Sequence, residues 1–293
     1  VIMLLRPSLI RRDTWRATVT PLASIIGSGF LIAGPILAPV AGQYAVFAML
    51  ALCGAGYLFG AAIRHNISHI EPLPHDKLTR IEGHIEHLSS FALVLAHFIS
   101  VTYYLNLFAS FGLRVEDIID PNLTRWLASG IILALGLIGA FRGLRALENV
   151  EALSVGVKLA LISGLIAGLA LWTLLAVTSN SYALPSHTNS ATGHNIGILL
   201  GLVILVQGFE TSRYLGDAYD AETRVKTMRR AQIISTVIYL SFILLITPFM
   251  EPDSPAVGRE TEIIDLLAPL GVVVGPLIIL TALMSQLSAA IAD

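Results

Sequence analysis

Charge is what this chain has least of. Of its 293 residues only 13% are charged, against 55% hydrophobic, whereas an ordinary soluble domain carries about 25% charged residues. A surface wetted on all sides needs more charge than that. The deficit excludes a soluble globular protein and fits a chain that crosses a membrane several times. Cysteine is nearly absent too: Cys53 stands alone, which excludes an internal disulfide. Polar stretches are short, and none is large enough to be a second domain. No cleavable leader is expected, because the apolar run after Arg6, Arg11, Arg12 and Arg16 is too long for the core of a signal peptide. The net charge of -2 points to no partner.

What the chain does have is apolar runs of spanning length, about 20 residues each. Eight are read, over 17–40, 44–63, 88–111, 123–141, 150–177, 196–216, 231–250 and 263–292, the last with a kink expected at Gly275-Pro276. Cytoplasmic loops carry the excess of Lys and Arg, and here the split is sharp. Thirteen such residues fall on one side (Arg6, Arg11, Arg12, Arg16, Arg64, Lys77, Arg80, Arg142, Arg145, Arg224, Lys226, Arg229 and Arg230). The other side holds Arg114, Arg125 and Arg259. The expectation is an integral membrane protein with its N-terminus in the cytoplasm. The chain opens at Val1 and stops at Asp293 straight after an apolar run, so we read it as a fragment.

Two of the runs carry an interruption. Gly27-Ser28-Gly29 breaks the first, and Gln207-Gly208-Phe209-Glu210 breaks the sixth. Backbone that stops being helical at membrane depth is tolerated only where it is buried in protein or lines a cavity. Runs one and six lie five apart, so they cross in opposite directions, as an inverted five-helix repeat requires. Paired interruptions at corresponding places in two halves point to the substrate site of a transporter. The amides that begin the half-helix after Gly29, at the positive end of its dipole, suit a carboxylate. Glu210 is an ionisable group inside a span and so a site candidate. Close packing through small residues at the first break, and an ion pair between Glu210 and Arg213, are the structural alternatives.

With these residues in view a resemblance can be named. "IIGSGF" in the first run resembles the glycine-rich break of the amino acid–polyamine–organocation (APC) transporter superfamily. "GFE" in the sixth run, the basic "AETRVKTMRRAQ" after it, and "SVGVKLALI" in the fifth run resemble other recurrent stretches of that superfamily. A proline common in the basic loop is missing at Met228-Arg229-Arg230. The resemblance implies the leucine-transporter-type fold, with substrate held between the broken helices and helices three and eight. Helices one to five would occupy about 17–177. Helices six to eight, about 196–292, would be a second repeat without its last two helices, all in one transmembrane domain over 1–293.

The resemblance also gives Lys158 a role, as an ammonium standing where sodium-coupled relatives hold an ion. A desolvated amine gives up its proton more readily than a solvated one and can exchange it during a cycle. Snorkelling to a nearby interface is the alternative. Ser285 and Ser288, one turn apart, are expected to face Lys158 and the first break. In the third run His97, Ser100 and Tyr104 recur at helical spacing, with Tyr103 and Asn106 beside them, and read as a face turned to a cavity. The expected substrate-binding set is thus Ile26, Gly27, Ser28, Gly29, Gln207, Gly208, Phe209, Glu210, His97 and Tyr104, with Lys158, Ser285 and Ser288 for ion or proton coupling.

Histidine supplies the competing signal. Six of the eight fall between positions 65 and 97, including the pairs His65/His69 and His84/His87. Imidazoles at such spacing line up on one helix face, as in membrane di-iron desaturases. Yet Pro72 and Pro74 interrupt the stretch, and His187 and His194 fall on the opposite side. A solvated amphipathic loop helix is the simpler use. An eight-helix channel is the other alternative, but it calls for a polar stripe through the whole membrane rather than polar groups at mid-depth. The expectation is an all-α polytopic permease of a bacterial inner membrane, and not an enzyme. It would move an amino-acid-like metabolite within the lipid bilayer, with no cofactor, bound metal or nucleic-acid partner. Substrate identity, coupling ion, direction and oligomeric state stay open.

Overall fold

A long apolar run is stable in lipid only if its backbone groups pair within the segment, which a helix accomplishes by itself. The structure, a computed structural model, describes residues 13–27, 29–73, 79–142, 144–180, 182, 193–249 and 261–293. Within them the chain is helical, with no strand. Its principal helices are α1 (Asp13–Ile25), α2 (Gly29–Ala41), α3 (Ala45–His65), α4 (Arg80–Leu113), α5 (Pro121–Arg142), α6 (Leu144–Thr178), α7 (Gly193–Gly201), α8 (Ala221–Ile246), α9 (Ile263–Leu266) and α10 (Val274–Ala292). Among the described residues eight stretches are long and apolar enough to span a membrane, one for each apolar run. The first is the most enclosed by protein and the fourth the most peripheral. Trp126 and Phe141 on α5 are 78% and 84% exposed, a surface suited to lipid and costly in water.

Two elements differ from the sequence expectation. The third span starts earlier, because Thr79 and Glu82 form a reciprocal capping box that sets the start of α4 at Arg80. His84, His87 and His97 therefore share one long helix, and no separate loop helix carries the first two. The eighth run is not one kinked helix. Gly271 adopts φ 135° between α9 and α10, a conformation that glycine alone takes at low cost. Pro276 then falls in the first turn of α10, where its missing N–H leaves no helical bond unmade.

Packing gathers the helices around the first span. α10 lies against α6, α4 and α1, while α8 lies against α1 and α3. Phe30 of α2 meets Phe242 of α8 edge to face at 5.1 Å between centroids, and both rings are buried with Tyr239.

Candidate functional site

The first break begins where the α1 hydrogen-bond ladder tightens. The Gly27 amide donates to the Ser24 carbonyl at 3.0 Å, three residues back, which leaves the Ala23 carbonyl without its usual partner four residues ahead. A carbonyl orphaned at a helix end and buried must find another donor. Lys158 supplies it, with Nζ 2.9 Å from the Ala23 oxygen. The same Nζ donates to Ser288 Oγ at 2.7 Å, and Ser288 donates onward to the Ser285 carbonyl at 3.0 Å. Lys158 is completely buried, so its charge stays inside and the snorkelling alternative does not hold. The carboxylates of Glu151 and Asp293 act on it electrostatically.

In the sixth span, 3-10 turns over Leu202–Val206 give way to extended Gln207 and left-handed Gly208, with φ 106°. A Cβ on Gly208 would stand 2.7 Å from the Ile25 amide nitrogen, so both its dihedral and the closeness of α1 call for glycine. One on Gly29 would stand 2.9 Å from the Leu205 carbonyl oxygen. The two interruptions therefore touch each other, backbone to backbone.

One side chain joins them. The Tyr239 hydroxyl lies 3.0 Å from the Ile25 carbonyl and 2.6 Å from the Leu205 carbonyl, meeting one freed acceptor in each broken span. Nothing in the sequence singled out Tyr239, which reads as one more aromatic in an apolar run.

Of the expected residues, Ser28 lies outside the described residues, as do Arg6, Arg11, Arg12, Lys77, Arg259 and His187. Ile26 and Phe209 are buried at the two breaks. Gln207 donates from Nε2 to Ser100 Oγ at 2.8 Å, tying the second break to α4. Glu210 folds back, its Oε2 accepting the Gly208 amide at 2.8 Å. It does not pair with Arg213. That guanidinium instead meets Glu86, with Glu71 at 3.8 Å, and Arg224 holds Glu71 at 2.6 Å. Tyr104 is buried within hydrogen-bonding reach of Ser24 and Ser100.

Ser24 in turn donates to the Asp293 carboxylate, and His97 Nδ1 lies 3.0 Å from the Asp293 carbonyl oxygen. Sequence reasoning passed over Asp293, which these contacts bring to Ser24 and His97. Ser285 Oγ and His97 Nε2 are buried without a partner among the described residues. Asn106 turns away, donating to the Thr102 carbonyl of its own helix at 3.0 Å.

A cavity of about 430 Å³ reaches the second break from the side of α3 and is lined there by Gln207, Phe209, Glu210 and Arg213. Its lining does not include the first break, His97 or Tyr104. At the first break a Cβ on Gly27 would stand 2.5 Å from Ala289 Cβ, so α10 closes directly over it.

The histidine pairs do not converge. His65 and His69 stack on each other with centroids 4.3 Å apart. Among the described residues no three His, Cys, Asp or Glu side chains are grouped to hold a metal ion.

Eight spans, two of them interrupted and touching at their interruptions, define a helical membrane protein with a polar centre inside an apolar bundle. The chain matches the family described as APC superfamily transporter over residues 7–293, and it belongs to that superfamily. An Aquifex aeolicus (strain VF5) protein, described only as uncharacterized, is 38% identical over 297 residues. The match covers all of this chain and 72% of that relative.

Proposed function

We propose that the protein is a secondary active transporter moving an amino acid, or a related small amine- or carboxylate-bearing metabolite, by alternating access. The observation that carries this reading is the direct meeting of two interrupted spans, five apart in the chain and joined by the Tyr239 hydroxyl. Corresponding interruptions are what an inverted five-helix repeat places at its substrate site. The first repeat then runs over about 17–177, and 196–292 supplies three helices of the second, in one transmembrane domain.

The substrate carboxylate is held by the amides at the start of α2, where the helix dipole favours negative charge. Ile26, Gly27, Ser28 and Gly29 form that side. Gln207, Gly208, Phe209 and Glu210 form the other, with His97 and Tyr104 on α4. Lys158, with Ser285 and Ser288, is the coupling group. Its ammonium bridges α1 and α10, so loss of its proton removes the charge that strengthens both bonds and weakens the tie between them. With Gly29 against Leu205 and Gly27 against Ala289, the cleft between the breaks is closed. The cavity beside Gln207, Phe209 and Glu210 is the approach to it. The bias of Lys and Arg supports a cytoplasmic N-terminus, in a bacterial inner membrane.

The experiment is a thermal-shift screen of the purified full-length protein against amino acids and polyamines, since a ligand that binds only the folded state raises its stability. The stabilising compound is then tested for uptake into proteoliposomes under an imposed proton gradient. A stabilising amino acid or amine that is taken up supports the reading. No stabilisation by any of them, and no uptake, sinks it.

A further inference from the structure

The basic residues at the Ala221 end of α8 do not all have the same task. Arg224 is buried and paired with Glu71 at 2.6 Å, and Lys226 is paired with Glu222 one turn back. Arg229 and Arg230 are exposed, and neither has an ion-pair partner among the described residues. Behind them Arg64 of α3 is buried, and its partners among the described residues are neutral: Gln232 Oε1, the Tyr57 carbonyl at 3.3 Å and the Tyr57 ring at 4.6 Å. It lies close enough to Arg229 for the two guanidinium charges to repel. Among the described residues no carboxylate pairs with Arg64, Arg229 or Arg230, so a local excess of positive charge remains there.

That excess lines a cavity of about 550 Å³ bounded by Ser68, Ala221, Glu222, Val225, Lys226, Arg229, Arg230 and Ile233; its one carboxylate, Glu222, is paired with Lys226, so the two arginines keep their charge. Its floor is apolar and continues along the helix. Ile233, Val237 and Leu244 follow Arg230 on one face of α8 and are 51%, 59% and 56% exposed, which in a spanning helix means exposed to acyl chains. Guanidinium groups stand where such a helix leaves the hydrocarbon, directly above a lipid-facing stripe. A soluble anion would need the charges but not the stripe. A phospholipid uses both.

We infer that Arg229 and Arg230, with the Ser68 hydroxyl across the cleft, hold the headgroup phosphate of an anionic glycerophospholipid whose acyl chains lie along Ile233 and Val237. Juxtamembrane basic residues attract anionic lipids of the cytoplasmic leaflet, and the distribution of Lys and Arg assigns this end of α8 to that leaflet. A guanidinium pair matches the phosphate oxygens in geometry as well as charge. The bound lipid steadies the end of the helix that carries Tyr239.

The test uses full-length protein, delipidated in mild detergent and titrated with phosphatidylglycerol and phosphatidylcholine, with bound lipid read by native mass spectrometry. The expected result is a preference for phosphatidylglycerol of roughly tenfold or more, lost in the Arg229→Gln/Arg230→Gln double variant. Both side chains are exposed, so the double variant should fold, and the single Arg230→Gln should show a partial loss. Arg125→Gln, an exposed arginine on the other side, should leave the preference intact. Equal retention of the two lipids by the unaltered protein, or an undiminished preference in the double variant, overturns the inference. Thermal stabilisation by inorganic phosphate without lipid, abolished by the same double substitution, would make this a soluble-phosphate site and overturn the lipid assignment.

Discussion

The Tyr239 hydroxyl sits 2.6 Å from the Leu205 carbonyl in the sixth span while reaching the Ile25 carbonyl of the first at 3.0 Å. A phenol has one proton to donate, so the two acceptors share it, and the bond can pass from one span to the other as they separate. Tyr239→Phe removes the hydroxyl while the ring keeps its packing. Leaving buried carbonyls short of a donor costs about 1–3 kcal/mol. The variant is expected to fold, to unfold at lower temperature, and to transport more slowly. Unchanged unfolding and uptake would show that the hydroxyl merely fills space.

For Lys158 the expectation is separable by substitution. Lys158→Ala removes the donor to Ala23 and Ser288 and should abolish the pH dependence of uptake. Lys158→Arg keeps a charge that does not titrate in any usable range, and should not restore it. An alanine variant with an unaltered pH profile would assign the residue a structural tie alone.

Bulk at the breaks should be intolerable, and bulk at a glycine facing open space harmless. In Gly29→Val the new side chain starts 2.7 Å from Leu205 Cβ, and Gly208→Ala combines a close contact with a left-handed dihedral that disfavours any Cβ by about 1–2 kcal/mol. Both should lose substrate binding, read by thermal shift. Gly54→Ala meets nothing within 4 Å and should behave as the unaltered protein. Wild-type affinity in Gly29→Val would remove the main support for a site at the first break.

Topology can be read with a single reporter. Asn180 is exposed just past the end of α6. Asn180→Cys, with the buried Cys53 replaced by alanine, should react with an impermeant thiol reagent on intact cells. Labelling only after the cells are opened would overturn the assigned sides, and with them either the cytoplasmic N-terminus or the count of five spans before Asn180 on which the inverted repeat rests.

Asp220 caps α8, its carboxylate accepting the Thr223 amide at 2.8 Å. Hydrogen bonds from the Thr223 side chain and backbone hold its pKa below the usual value. A depressed carboxylate contributes stability above its unfolded pKa, about 3.9, and that contribution disappears as pH falls through the lowered value. Asp220→Asn keeps an acceptor without the charge. It should be less stable than the unaltered protein at neutral pH, and the two should converge in acid when thermal unfolding is followed. A gap that persists unchanged in acid would show that the charge of Asp220 adds nothing to the cap.

The number of spans, the places of both interruptions and the presence of a lysine inside an apolar run were legible in the sequence. Each is a local matter of composition and period: about 20 apolar residues, a glycine cluster, one ammonium. The destinations of the polar groups were not. Whether Arg213 meets Glu210 or Glu86, whether Lys158 snorkels or seeks the Ala23 carbonyl, and which donor serves the carbonyls freed at the breaks depend on how helices far apart in the chain are packed. Tyr239 shows this most plainly, since Ile25 is 214 residues from it and Leu205 is 34. Its aromatic ring marks it only as buried. A broken helix in lipid must find replacement partners for its freed backbone groups, and only the tertiary arrangement decides which side chains those are.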